Sequence, residues 1–550
     1  MAVEDEETQA GIGPVAGRFG RRSSVGRWVW LGSFALLAGL MLIRSSFLFT
    51  TRLYETADEA DNSILVVQAE HFALLHGNYS REGFFHPGPA YLYVMAAGQW
   101  LFHDATHLVP TPWNGQLVAI LLLNSALMAT VAWIVYSWAR SVWAAVAAVA
   151  LIVGLAAAVD VGVPEVINRN ILAASWMPDV YVPTFLAFLV AAASVAAGRT
   201  SHLWLLAATG WLLIHGHVAF LYFVPLIMAA TAAAALWPTR RAPWAAIWRF
   251  LRHRWPHYLP AMLISAVFAL PIAADLILHW PGQFGMYVRY ARSAKAGHHT
   301  VGEAIRYVLW YWAPGPLWLA ILVTGIAVAA GLAVAAAVPS LVTASPASLP
   351  LQRFLLAATW VGAATTAGMI YYVMRGVDDL NAAYIGFFYW SVPLLTFLVA
   401  ATGLTAARQG RGIAKVAVAG ALVVALGSGA ASPGLRADVH DNEPALFTTM
   451  TALAASAHGR LIVLQVGDFT EFDADGLVLQ AERLGARACL AGPSSSVFEV
   501  TIQFICRPPQ ESTGVTYWLH RLPYSPVAGV RVIARLRYAV LTARQARHSR

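Results

Sequence analysis

Three carboxylates spaced by three, Glu55, Asp58 and Asp61, with Glu59 and Asn62 beside them, form the first group in this 550-residue chain whose spacing suits chemistry. On a helix such residues line one face. Acids held close raise one another's pKa, which fits them to take a proton or to hold a hard cation. The plainer alternative is a solvated acidic start to an interfacial helix, favoured by the helix dipole. Further along, in NYSREGFFHPGPAYLY (78 to 93), Pro87, Gly88 and Pro89 break the chain ahead of a second short apolar helix. His86 then stands just before a helix N-terminus with Arg81 nearby, an arrangement that attracts phosphate. A structural proline turn with an interfacial histidine is the alternative. Between the two groups, ILVVQAEHFALLHG (64 to 77) is broadly amphipathic and too polar to span a membrane. It is expected to lie along a surface and to end at Gly77.

The elements that carry these groups belong to a membrane. The chain is 59% hydrophobic and 12% charged, with a mean hydropathy of +0.60, well beyond an ordinary soluble domain. Its net charge of +8 comes mostly from Lys and Arg in short connections between apolar runs, where they mark topology, so nucleic-acid binding is excluded. At about 20 apolar residues per crossing there are about eleven spans. They lie near 28 to 48, 116 to 138, 141 to 160, 180 to 198, 202 to 215, 217 to 237, 257 to 278, 315 to 338, 354 to 374, 384 to 406 and 412 to 431. The fifth and sixth are short and are divided only by His215-Gly216-His217. With the N-terminus inside, the cytoplasmic connections collect Arg18, Arg21, Arg22 and Arg27, then Arg140, Arg199, Arg240, Arg241, Arg249, Arg252, Arg254, Arg353, Arg408, Arg411 and Lys415. The same parity puts outside the acidic loop 49 to 115, the loops 161 to 179, 279 to 314 and 375 to 383, and the tail from about 434. The first apolar run reads as a retained span and not a cleaved signal.

This gives three parts: a cytoplasmic tail (1 to 27), a transmembrane domain (28 to 433) and an extracytoplasmic α/β domain (434 to 550). In the last, GRLIVLQV (459 to 466), RACLAG (487 to 492) and SVFEVTIQFICR (496 to 507) read as strands, and ADGLVLQAERLGA (474 to 486) as a helix. Outside the cell thiols are oxidised, so Cys489 and Cys506 are candidates for a disulfide between neighbouring strands, or else two small core residues. No Cys/His zinc cluster, Gly-rich nucleotide loop or G-x-S-x-G elbow is present.

The order of these features resembles the GT-C glycosyltransferase superfamily, in particular its polyprenyl-phosphate-sugar dependent members such as aminoarabinose transferases and protein O-mannosyltransferases. The resemblance rests on the acidic loop after the first span, the interfacial helix, the His-Pro-Gly-Pro turn, MPD (177 to 179) opening the fourth span, and HGH (215 to 217) between the fifth and sixth. It implies an inverting transfer of sugar from a polyprenyl-phosphate donor to a glycan, glycolipid or protein acceptor, at the outer face of a bacterial plasma membrane. Asp61 is favoured as base, with Asp58 and Glu59 as alternatives. His86 and either His215 or His217 take the family's basic positions. These are departures, because a histidine is charged over only part of the physiological range.

The resemblance also points to Asp179, which with Asp58 and Asp61 supplies oxygen ligands for a divalent cation such as Mg or Mn. Further phosphate-binding candidates are Arg81, Arg289, Arg292, Lys295, His298, His299 and Arg375, each with lipid head-group contact as its ordinary alternative. Glu165, Asn168 and Arg169 are candidates for an acceptor entrance, and Asp378, Asp379 and Asn381 for sugar hydroxyls or a cation. A transporter or flippase and a non-catalytic assembly protein are the rival classes. The first would place charge inside the spans, yet the apolar runs are nearly free of it.

Overall fold

The computed structural model describes residues 19–162, 171–237, 255–293, 297–313, 321–322, 324–325, 348–406, 441–467, 470–492 and 503–544. The helices are α1 Phe19–Arg44, α2 Ala57–Glu70, α3 Ala90–Gly98, α4 Pro112–Ala139, α5 Val142–Gly162, α6 Met177–Ala196, α7 Leu203–Gly216 and α8 Phe220–Leu236. They continue as α9 Trp255–Leu278, α10 Gly282–Ala291, α11 Val301–Trp310, α12 Ser348–Arg375, α13 Ser391–Ala406, α14 Ala445–Ala457 and α15 Glu471–Arg483. Among the described residues six helices are long and apolar enough to cross a membrane, and shorter apolar helices accompany them. The chain is a multi-pass membrane protein. The expected span 412 to 431 lies outside the described residues, and 315 to 338 almost wholly so; the other nine each fall on a helix.

Helix burial sorts the bundle. The apolar window of α6 is 100% buried, against neighbours α4, α7, α8, α12 and α13, whereas that of α9 is 0% buried and faces outward. Lipid tails are as apolar as leucine, so an outward α9 loses nothing by its exposure. The short pair are two helices: α7 ends at Gly216, and α8 begins at Phe220 after a turn through His217. At the end of the bundle where parity placed cytoplasm, the Arg199 guanidinium lies 3.8 Å over the Trp138 ring.

The outer loop departs from expectation in one respect. The interfacial helix stops at Glu70, where His71 and Phe72 turn the chain, Phe72 with φ 54°. Residues up to Gly77 are not helical. Gly77 serves a close approach instead: its N–H bonds the His86 carbonyl at 2.7 Å, and a Cβ there would lie 2.7 Å from the carbonyl oxygens of Gly88 and His215. That bond extends a small hairpin, β1 Tyr79–Ser80 with β2 Phe84–Phe85, turned at Gly83 (φ 77°). The stretch 279 to 314, read as a loop, contains α10 and α11, the latter started by a capping box between Thr300 and Glu303.

The C-terminal part is a five-stranded sheet, β3 Ile462–Gln465, β4 Ala488–Ala491, β5 Val515–Arg521, β6 Val530–Arg535 and β7 Ala539–Arg544, in the order β4-β3-β5-β7-β6. β3 runs parallel to β4 and β5, with α15 as the crossover, and β7 is antiparallel to β5 and β6. Of the two alternatives for Cys489 and Cys506, the structure has the disulfide. The third expected strand lies largely outside the described residues; its end pairs only as an Ile505–Leu490 bridge. This domain sits on the outer loop. Glu55 bonds both terminal nitrogens of Arg483, at 2.7 and 3.0 Å, and the Thr56 hydroxyl donates to the Phe472 carbonyl at 2.7 Å.

Candidate active site

One cavity of about 630 Å³ gathers residues from seven separate segments. α2 supplies Asp58, Asp61 and Asn62. The hairpin supplies Asn78, Arg81, Glu82, Phe84 and His86. The start of α6 supplies Trp176 to Pro178 and Tyr181. From the α7–α8 turn come His217 and Tyr222, and from α10 Tyr287 and Tyr290. Tyr372, Arg375, Asp378, Tyr384 and Phe388 close one side. A seventh contribution, Phe472, comes from the C-terminal domain. Apart from the α7–α8 turn, which was read only as the divide between two spans, the loops that contribute here were all expected on one side of the membrane.

The carboxylates divide in role. Asp58 is open to the cavity and accepts the Trp176 indole N–H at 2.9 Å; enclosure by protein raises its pKa, the indole bond opposes this, and Asp441 adds to the rise. Asp61 is buried at the wall. Its Oδ1 is sealed and finds no donor among the described residues, and the residue lines the cavity. Burial first, then Asp475 and Asp58, push the Asp61 carboxyl well up. Glu59 turns away from the cavity and accepts the Ser175 hydroxyl at 2.7 Å, its pKa driven well up by burial and by Asp441. It is a buried structural acid, and the reading of Glu59 as an alternative base is corrected on that ground. Glu55 precedes α2 and belongs to the Arg483 pair, so the acidic triplet does not share one face.

The histidines are not a charged clamp. His86 is buried, and its Nδ1 accepts the Val218 N–H at 3.2 Å; burial and the His217 ring, 4.3 Å away between centroids, hold its pKa well below the usual value. Burial lowers His217 to about 4. Both rings line the cavity as neutral groups, able to donate through one nitrogen and to accept through the other. His215 does not reach the cavity. Its Nδ1 accepts the Ala90 N–H at 3.2 Å and its Nε2 bonds the Phe268 carbonyl at 2.8 Å, pinning the start of α3 to α7 and α9. A Cβ on Gly88 would overlap its ring, which explains a glycine between the two prolines.

The cations are therefore Arg81 and Arg375. Arg81 pairs with Asp378 and lies 5.8 Å from the Tyr384 ring centroid. Arg375 is exposed and forms no ion pair among the described residues. Arg289, Arg292 and His298 are exposed and off the cavity wall, because α10 turns its tyrosines Tyr287 and Tyr290 inward and its arginines outward. His299 bonds the Val377 carbonyl at 2.9 Å. Asp379 accepts from Asn381, so of that trio only Asp378 reaches the wall. Lys295, Glu165, Asn168 and Arg169 lie outside the described residues.

Asp179 is fully buried in α6 with neither carboxylate oxygen bonded, and it does not line the cavity. The expected three-oxygen set of Asp58, Asp61 and Asp179 is thus not assembled, and no group of three His, Cys, Asp or Glu with metal-ligand spacing occurs among the described residues. Sequence reasoning missed Phe472 and Asp475, because the acidic start of α15, EFDAD (471 to 475), was read as part of a separate domain.

The helical bundle, the loop with its cavity, and the small sheet domain docked on that loop share their overall fold with known membrane-protein structures. Two solved structures carry the likeness: ArnT from Cupriavidus metallidurans in the apo state, and the same protein bound to undecaprenyl phosphate. The first superposes with a TM-score of 0.58 at 12% identity, covering 94% of this chain and 98% of that one. The second gives 0.53 at 13% identity, over 94% and 96%. At such identity the likeness is one of fold. No family model and no curated protein sequence matches the chain.

Proposed function

We propose that this protein transfers a sugar from a polyprenyl-phosphate donor to a hydroxyl of a cell-envelope glycan, glycolipid or protein, with inversion, at the outer face of a bacterial plasma membrane. The observation that carries the proposal is the meeting of Asp58 and Asp61 with Arg81 and Arg375 around one cavity. A fold shared along nearly the whole chain with a protein captured on undecaprenyl phosphate supports the donor class.

In this reading the donor's phosphate sits by Arg375 and Arg81, whose charge offsets what develops on the leaving group. His86 and His217 add neutral hydrogen bonds. The acceptor hydroxyl attacks the anomeric carbon, the bond from that carbon to the phosphate oxygen breaks with its electron pair, and the hydroxyl proton passes to the Asp61 carboxylate. Asp58, fixed by Trp176, holds acceptor or sugar hydroxyls. Tyr287, Tyr290, Tyr384 and Trp176 offer faces for the sugar ring. A divalent cation, if used, would rest on Asp58 and Asp61 with the phosphate completing its shell, and no step above needs it.

The test is sugar transfer by the purified full chain in lipid nanodiscs, with labelled polyprenyl-phosphate sugars and envelope extracts. Asp61→Asn is expected to lower turnover by about 10²–10⁴-fold, and Arg375→Gln to raise the donor KM. Undiminished transfer by Asp61→Asn defeats the assignment of the base.

A further inference from the structure

Positive charge collects on the last three strands of the sheet domain. Residues 503 to 544 hold six arginines against one acid, Glu511, and among the described residues neither Arg535 nor Arg544 forms an ion pair with a carboxylate. Strand pairing sets which side they occupy. Trp518, Thr542 and Val532 lie side by side across β5, β7 and β6, and two residues along β5 and β7 so do His520, Val540 and Arg535. Residues directly opposite share a side of the sheet. In an unbroken β6, Arg535 would point away from Val532. The bulge between Val532 and Ala534 turns it back to the same side. There the Arg544 guanidinium lies 5.2 Å from the Trp518 ring centroid, and His520 stacks on Tyr524 at 4.8 Å while bonding the Thr542 hydroxyl at 3.0 Å. Trp518 and Tyr524 are half-buried, and both arginines are exposed.

The opposite side is the one that packs: Leu519 and Leu541 are buried there, and the Tyr517 hydroxyl bonds that of Ser456 on α14 at 3.2 Å. α14 rests on α15, and α15 on α2. The basic, aromatic side therefore looks away from the attachment to the loop. We propose that it is a docking surface for an acidic polysaccharide, a glycan that carries carboxylates or phosphodiesters. Guanidinium groups match the geometry of both anions, and the rings beside them offer flat apolar faces to sugars. A bilayer is the poorer match, because this side is turned from the one by which the domain is held. Nucleic acid is a poorer match too, since the Cys489–Cys506 disulfide of the same domain belongs to an oxidising compartment. None of these residues lines the cavity, so the proposal stands apart from the transferase reading.

The test is binding of the purified full chain, in neutral phosphatidylcholine nanodiscs, to immobilised polygalacturonate and phosphomannan, read by interferometry with dextran as the uncharged control. The parent is expected to bind at least one acidic polymer and not dextran, with affinity falling as salt is added. Arg535→Gln with Arg544→Gln is expected to bind about tenfold more weakly, the scale of losing one charge-assisted hydrogen bond. Arg460→Gln with Arg487→Gln, beside β3 and β4, should stay near the parent. A parent that binds neither acidic polymer, or binds dextran equally, overturns the proposal. So does a variant lacking Arg535 and Arg544 that keeps full affinity, or an equal loss in the two double variants, which would mean diffuse charge. Phosphatidylglycerol vesicles form the last arm: if Arg535→Gln with Arg544→Gln loses binding to them and keeps the polymers, the face meets lipid and the proposal falls.

Discussion

Replacing Arg483 with methionine should loosen the C-terminal domain from the outer loop far more than loss of an ordinary ion pair. An exposed pair contributes about 0–1 kcal/mol, whereas removing one partner of a buried pair costs about 3–5 kcal/mol, because the other charge is left desolvated. The structure decides between these figures. The Glu55 side chain is 0% exposed and that of Arg483 15%, and the two are joined by two parallel hydrogen bonds. The larger cost applies. At 1.36 kcal/mol per factor of ten, hydrogen exchange in the 54 to 61 and 471 to 483 segments should accelerate by about two to four orders of magnitude in Arg483→Met. Glu55→Gln with Arg483→Met should recover much of that protection, since the stranded charge is gone. Exchange that changes less than about fivefold in Arg483→Met would place the pair in the surface class and refute the view that the domain is locked to the loop.

Three further outcomes are expected. Because burial raises the pKa of Asp58 and Asp61, turnover that needs an ionised Asp61 should fall, as pH is lowered, through a value above the ordinary carboxylate range; an acid limb near pH 4 would contradict the enclosure of these groups. Glu59 carries a raised pKa, so it binds its proton more tightly folded than unfolded, and stability is lost as pH rises from about 4.3 through that raised value. Glu59→Gln, which keeps an acceptor for Ser175, should therefore raise the unfolding temperature at neutral pH and leave it unchanged in acid. Gly88→Ala should cost about 1–3 kcal/mol in thermal or denaturant unfolding and reduce transfer, since the added methyl group meets the His215 ring and shifts the turn that carries His86.

The parts of this protein visible in its sequence are those set by local pattern and by sidedness. Apolar runs with arginines at alternate connections located the described spans and put Asp61, His86 and Arg375 on one face before any contact was known. The prolines at 87 and 89 marked the start of α3 correctly. Role within the cavity was less visible, because residue type alone does not separate a ligand from a pin. His86, His215 and His217 look alike in sequence, yet His215 is consumed by backbone partners on α3 and α9 while the other two line the wall. Gly77 was equally ambiguous, since a helix cap and a close approach of two carbonyls both call for glycine. Asp475 and Phe472 were out of reach for a different reason: their place depends on how the sheet domain docks, a tertiary contact that no periodicity records.

The central claim is that the outer cavity takes a polyprenyl phosphate with its phosphate at the arginines and its first sugar carbon before Asp61. A structure of the full chain in nanodiscs with a polyprenyl-phosphate lipid tests this most directly. The account predicts phosphate density within hydrogen-bonding distance of Arg375 or Arg81, and the Asp61 carboxylate on the side from which an acceptor would approach. Lipid phosphate bound elsewhere on the bundle, with this cavity left to water, would contradict it.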